Sequence, residues 1–458
     1  MSKPMCVIQS PLETRSGYGD MARDIIRHII DLDLYDVKLV SLPWGATPMN
    51  ALDDVKDAGL ISRIIQPPVQ LDRQPDLFIQ ISVPNEFQPM GKYNIGITAG
   101  IETTLISVPW IEGCNRMNVI WTISEHSKQV ILSTQAEERS PDGAVISAKK
   151  VTVPVEVLHN CVHTDVFKKI ASNEIPESVN DMMVDMKEKF AYLFVGHWLR
   201  GNMGEDRKNV GILVKVFCET FKQVSSIHKP ALILKTSGAG FSVLDREDIL
   251  SKIKQVRASV GAGCPSVYLI HGELTEAELN GLYNHPKIKV HVSFTKGEGF
   301  GRPLLEATMS QKPVIASAWS GHLDFLNPEE SVLIPGELRP VEPGAVWENV
   351  IIPQSSWFNV DTNAAANALM WTFRKYDQFV LQAKKLAAKN RERFSYDAIK
   401  TRTAELLGKY VPKMATQSPV ILPQLKKIGG TSPVPVEFSL PTLKKMTPIN
   451  AQSEQTTH

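Results

Sequence analysis

The sequence predicts an α/β protein with two domains, each a parallel sheet flanked by helices, followed by a flexible C-terminal tail. Three observations carry that prediction. At 458 residues the chain is too long for one core, since a domain takes roughly 100 to 200 residues. Short β-rich apolar runs alternate with amphipathic helical runs in two series, one on each side of the polar stretch Ser172 to Lys189. Hydrophobic residues at 43% and charged residues at 22% supply enough apolar surface for both cores, until the composition changes beyond Val411.

The first series runs Met5 to Gln9, a glycine-containing loop, Met21 to Ile30 at helical spacing, then Val37 to Leu42, a βαβ pattern. Leu77 to Ile81, Asn94 to Thr98 and Val119 to Ile123 continue it as short strands between breakers. The segment VTVPVEVLHNCVHTDVF then leads into the polar stretch, where the domain boundary is placed. In the second series the strands are Tyr192 to Val195, Ala231 to Lys235, Val267 to Ile270, Lys289 to Phe294 and Pro313 to Ala316. The helices between them are Val210 to Val224, Asp245 to Val260, Thr275 to Tyr283 and Pro303 to Ser310. Helical patterns close the folded part at Thr362 to Lys375, Asp377 to Lys389 and Tyr396 to Tyr410. The expected domains are therefore residues 1–180, residues 181–375, terminal helices 376–411 packing back on the first domain, and a tail 412–458.

That tail holds seven prolines, five lysines and two acidic residues in 47 positions, a composition without a core of its own. Within it LPQLKK (Leu422 to Lys427) recurs as LPTLKK (Leu440 to Lys445), either a coincidence of a biased segment or a dock for a protein or anionic surface. The formal charge of +1 excludes a global field that would grip nucleic acid or membrane. Cys6, Cys114, Cys161, Cys218 and Cys264 are odd in number and lie far apart, with no metal-ligand spacing, which implies a reducing compartment and no zinc site. With no signal-peptide pattern and no apolar run long enough to span a bilayer, a cytoplasmic location is expected.

The segment HVSFTKGEGFGRPLLEATMSQKPVIAS carries the chemistry. A strand leads into a turn with Gly297, Gly299 and Gly301, then into a helix with Pro303 in its first turn. Backbone amides at such a turn face the open end of a doubly wound sheet, where an anion or polar sugar binds. Glu298 on the turn and Glu306 in the helix, with seven residues between them, are near enough to line one cleft. A plain strand-turn-helix with a charged surface has the same appearance when it stands alone.

TKGEGFGRPLLEA resembles the E-x7-E donor motif of the retaining glycosyltransferase family that includes sucrose synthases and bacterial mannosyl- and glucosyltransferases. The resemblance runs from about Val7 to Tyr410 and is strongest from Tyr192 to Leu326. It implies the GT-B fold, two facing Rossmann-like domains with a nucleotide-sugar donor between them. By the same resemblance Glu298 contacts the donor sugar and Glu306 the ribose hydroxyls. FVGHWLRGNMGEDRKNVGILVKVF looks like the segment that supplies cations to the diphosphate, which implicates His197, Arg200, Arg207 and Lys208. HGELTEAELNGLY looks like the strand-loop-helix under the base, with Leu274, and WSGHLDFL like the loop after the next strand. PLETRSGYGDMARD resembles the glycine-rich loop of the first domain, with Gly17, Tyr18 and Gly19, and Gly299, Phe300 and Gly301 complete the donor side. The family has an arginine directly after the Val-Gly pair where this chain has His197, so Arg200 or Arg207 takes its place.

A sugar leaving a nucleoside diphosphate deposits charge on the outer phosphate, for which Arg207 and Lys208 are the candidate cations. Glu102, in ITAGIETTLISVPW, is either a surface carboxylate at a strand end or a cleft residue for the sugar or incoming hydroxyl. His126 reads as a helix-start residue. Asp31-Leu32-Asp33 spells the D-x-D of another fold but sits at a helix end, and the resemblance implies donor binding without metal or other cofactor. Lys384, Lys385, Lys389, Arg391 and Arg393 read as a solvated helix face. The leading expectation is a retaining transferase using a UDP-sugar or similar donor, with a modified DNA base or a saccharide as acceptor. The alternative is a catalytically silent nucleotide-sugar binder that recruits partners through its tail repeats.

Overall fold

The computed structural model describes residues 3 to 413 apart from Ala46, Pro141, Gly143, Ala144, residues 199 to 202, Ala239 and Gly240. Arg200 and both LPxLKK repeats lie outside the described residues. The N-terminal half runs β1 (Met5–Ser10), α1 (Gly17–Asp31), β2 (Asp36–Ser41), a short α2 (Ala58–Ile61), β3 (Leu77–Ile81) and β4 (Tyr93–Thr98). It continues with α3 (Val108–Asn115), β5 (Val119–Thr122), α4 (Glu125–Ser133), a hairpin of β6 (Gln135–Arg139) and β7 (Val145–Lys150), and β8 (Val155–Val157). Its main sheet has the order β2-β1-β3-β4-β5-β8, parallel throughout.

The polar stretch before the second half folds into a 3-10 turn (Ser172–Glu174) and the short α5 (Glu177–Met182), because it has too few apolar residues to hold a longer helix against a core. Then come β9 (Ala191–Val195), α6 (Val210–Phe221), β10 (Ala231–Lys235), α7 (Val243–Val260), β11 (Val267–Ile270), α8 (Glu276–Asn284), β12 (Ile288–Ser293) and α9 (Arg302–Thr308). β13 (Val314–Ser317), β14 (Val332–Ile334), a hairpin of β15 (Gly336–Pro340) and β16 (Ser356–Val360), α10 (Thr362–Arg374), α11 (Tyr376–Phe394) and α12 (Tyr396–Tyr410) complete the described chain. The second sheet has the order β11-β10-β9-β12-β13-β14, again all parallel.

Both sheets therefore follow the doubly wound pattern predicted from the alternating runs. In the second, strand order reverses between β9 and β12, and the carboxyl ends of strands at such a reversal are where doubly wound sheets bind ligands. In the first, the reversal lies between β1 and β3, beside the start of α1. These two switch points supply the residues of the site described below.

One apolar cluster runs from Ile8, Leu39 and Ile79 in the first sheet, through Leu158 and Phe167 in the crossover, to Leu193 and Ile233 in the second, and takes in Phe394, Leu406 and Leu407 of the last helices. α12 is docked against α1 by the Tyr396 hydroxyl on Asp31, 2.9 Å, while Lys409 and Tyr410 reach Glu156 in β8 at 2.6 and 2.5 Å. Truncating a fully buried leucine removes its transfer energy and leaves a cavity. Leu406→Ala is therefore expected to cost about 2 to 5 kcal/mol, measured by urea denaturation.

Candidate functional site

The loop after β9 delivers the cations. Asp206 caps α6 by accepting the Val210 amide at 3.2 Å, and Asn209 turns the chain in the left-handed region at φ 56°, so that Arg207 and Lys208 stand just before the helix. The loop after β12 delivers the acid. Lys296 donates its amide to the Arg207 carbonyl at 2.7 Å, joining the two loops, and the Arg207 guanidinium returns a bond to the Gly297 carbonyl at 2.9 Å.

Between them Glu298 is buried, with Lys208 Nζ 2.5 Å from one carboxylate oxygen and Arg207 3.3 Å from the other. Burial would raise its pKa, but Lys208 and Arg207 outweigh burial and hold the carboxyl at about 2. Arg207 also lies 3.4 Å from Glu102, which arrives from the loop after β4. Glu102, Arg207, Lys208 and Glu298, picked out separately along the sequence, thus form one charged cluster across the two halves.

Glu306, one turn into α9, is also buried, and its partner is a residue that sequence reasoning did not single out. Arg302 Nε bonds Glu306 Oε1 at 2.9 Å, and Arg302 Nη1 reaches Asp24 of α1 at 3.1 Å. Asp24 in turn holds His163 Nε2 of the crossover at 2.9 Å. Burial pushes Glu306 up to about 7 in spite of Arg302. The signal for Arg302 was present, an Arg-x-x-x-Glu pair at helical spacing inside the motif; Asp24 and His163 left none.

The remaining residues are distributed differently from the expectation of an open glycine cradle. A Cβ on Gly297 would lie 2.2 Å from the Glu102 carbonyl, and one on Gly299 2.5 Å from that of Ala99, so this turn is a tight contact between the halves. The Gly297 amide faces Thr295 Oγ1 at 3.3 Å and the Glu298 amide donates to Ser320 Oγ at 2.8 Å, which commits both to the protein. Gly301, with φ 93°, sets the turn into α9. Phe300 is core: its ring packs with Phe325 and Phe394 at 5.1 and 5.9 Å. Tyr18 is likewise directed into its own half, its hydroxyl 3.0 Å from Thr98 Oγ1 and its ring 4.2 Å from Trp44. The Gly19 amide donates to Ser16 Oγ, the cap of α1, and a side chain there would strike Thr14, whereas Gly17 has open space. His197 is exposed and lies 3.2 Å from Ser237 Oγ, and Leu274 packs at the edge of the main core.

The hairpin β15–β16 was not foreseen, and it braces the site. Lys296, fully buried, places its ammonium 2.6 Å from Glu342 and over the Trp357 ring at 4.4 Å, while the Ser356 carbonyl accepts the Thr104 amide beside Glu102. A second bridge joins the halves where Asp324 accepts the Glu125 amide and faces His159 Nε2, both at 2.9 Å. Among the described residues, Asp24, Cys161 and His163 bring metal-ligand atoms within 4.8 Å of one another. Arg302 and Arg27 already balance Asp24, so a cation there would face two guanidinium groups.

Comparison with known proteins bears on the fold. Residues 263–339 match the family described as glycosyl transferases group 1, a stretch that takes in Glu298 and Glu306. No curated protein sequence matches. Among solved structures, the Anabaena HepE protein in complex with UDP and glucose is 13% identical, with 89% of this chain and 100% of that one covered at a TM-score of 0.58. Sucrose-phosphate synthase from Thermosynechococcus elongatus gives 13%, 89% and 98%, with the same score. A glycosyltransferase from Rickettsia africae gives 12%, 90% and 100%, again at 0.58. The fold is that of these GT-B proteins, two parallel-sheet α/β domains with helices on their faces.

The two acids make opposite contributions to stability against pH. Glu306 has a raised pKa, so its contribution is full below about 4.5 and is lost as pH rises through about 7. Urea denaturation of wild type and Glu306→Gln across that range should show the wild type losing on the order of 2 to 3 kcal/mol relative to the variant.

Proposed function

We propose that this chain is a retaining glycosyltransferase that takes a sugar from a nucleoside diphosphate, UDP in the first instance, and passes it to an acceptor hydroxyl in the cytoplasm. The observation that carries the reading is the cluster at the β9/β12 switch point, Lys208 and Arg207 held against Glu298 with Glu102 facing them from the other half. UDP is favoured because HepE of the same fold is described with UDP and with UDP-glucose.

The chemistry follows from where charge develops. As the bond between the anomeric carbon and the diphosphate oxygen lengthens, negative charge grows on that oxygen and positive charge on the sugar. Fixed cations in a site of low dielectric stabilise the first without reorganising. Lys208 and Arg207 take that role, and the pairing with Glu298 keeps both extended toward one point. Glu298 accepts from the sugar hydroxyls, and Glu306 accepts from the ribose. The acceptor oxygen attacks on the face from which the diphosphate leaves and passes its proton to the departing diphosphate oxygen, which gives retention and requires no enzymic nucleophile. Two resident cations serve in place of a divalent metal, so chelation should leave turnover unchanged.

Full-length protein incubated with UDP-, GDP- and ADP-sugars, with chelator, and with saccharides or hydroxymethylated DNA as acceptors, should release nucleoside diphosphate from the UDP-sugar. Lys208→Met should lower kcat by about a hundred- to a thousandfold. Glu306→Ala should weaken UDP binding by at least about tenfold, the worth of a charged hydrogen bond. A rise in melting temperature with nucleotide but no turnover on any donor would instead mark a silent binder.

A further inference from the structure

Resting on the donor-site reading above, we propose that Arg302 is a positioning residue, which holds Glu306 for the ribose and links that carboxylate, through Asp24, to the contact between the two domains. The geometry is a buried chain of charge. Arg302 opens α9 and lies one turn before Glu306, so the pair shares a helix face, and its guanidinium extends past that helix to α1 of the first domain. Side-chain exposure is 15% for Arg302, 7% for Glu306 and 5% for Asp24, so solvent does little to screen these charges. One guanidinium is thus divided between two carboxylates from different domains, and its hold on one weakens its hold on the other.

The consequence falls on the ribose. A ribose diol needs the ionised carboxylate of Glu306 with an oxygen free to accept, and Arg302 already engages Oε1. Arg302 keeps Glu306 ionisable where burial alone would neutralise it, while Asp24 limits how tightly the two combine. Other groups facing Glu306 are fixed in sign. Asp20 on α1 and Glu276 on α8 add negative charge, Tyr283 on α8 turns its hydroxyl to the Pro303 carbonyl, and α11 presents the neutral Asn390 to Thr308. His163 and Arg27 bear on Asp24 from its far side.

The test is calorimetric titration of UDP into full-length wild type, Arg302→Met, Arg302→Lys and Asp24→Asn between about pH 6 and about pH 9, with folding checked by circular dichroism. The titration of the nucleotide itself is common to all four and cancels in the comparison. Wild-type affinity should rise as Glu306 ionises. Arg302→Met should move that rise upward by about one pH unit or more, Asp24→Asn should move it downward, and Arg302→Lys should leave it in place. Opposite displacements support the proposal, because general loosening of the fold would not reverse sign. Unmoved profiles, or displacements in the same direction, overturn it. If Arg302→Met does not fold, a downward shift in Asp24→Asn with none in Arg302→Lys supports the proposal, and an unmoved Asp24→Asn profile overturns it. Wild type that binds UDP with no such shifts leaves the donor site standing, whereas wild type that binds no UDP at any pH removes the donor-site reading and this inference together.

Discussion

Glu298 is buried at the carboxyl end of the second sheet with the Lys208 ammonium 2.5 Å away, and much of the local architecture serves to keep that pair together. Removing one partner of a buried ion pair costs several kcal/mol, because the other charge is left without water. The loops after β9 and β12 are accordingly joined through the Lys296 amide and the Thr295 hydroxyl on the Arg207 carbonyl and through the Arg207 guanidinium on Gly297. The buried Lys296, held by Glu342 and Trp357, extends that brace to the hairpin β15–β16. Cations pinned in this way are already oriented, as the stabilisation of a departing phosphate proposed for them requires.

The same economy explains how the halves meet. Beside the apolar cluster they share, charged and backbone polar pairs join them: Arg207 with Glu102, Arg302 with Asp24, Asp324 with His159 and the Glu125 amide, Arg15 with Glu273, and Thr104 with Ser356. Polar contacts of this kind add a specific geometry to the apolar burial that the two halves share. The glycines at 297 and 299 allow two backbones to approach more closely than any side chain would permit.

Much of this was legible in the sequence, and the reasons are local. β12, the turn and α9 follow one another with a change of period from two to 3.6 and a proline in the first helical turn, so their order and the positions of Glu298 and Glu306 were readable. α12 was read to its ends, Tyr396 to Tyr410, because Ser395 caps it and its apolar spacing is regular. What was not legible depends on distance along the chain. Arg302 and Asp24 meet across 278 residues, and His163 reaches Asp24 across 139, separations that leave no periodic trace. Phe300 and Tyr18 lie inside recognisable motifs, yet their rings turn into the protein, a choice made by packing against Phe394 and Trp44. The hairpin β15–β16 has short strands with mostly exposed faces on β15, so it offered no apolar alternation to read.

The most direct measurement is a crystal structure of the protein grown with UDP. The account places the diphosphate within hydrogen-bond reach of both Lys208 and Arg207, and the ribose hydroxyls on the carboxylate of Glu306. A diphosphate bound elsewhere, with Lys208 and Arg207 still closed on Glu298 and no nucleotide between the domains, would contradict it.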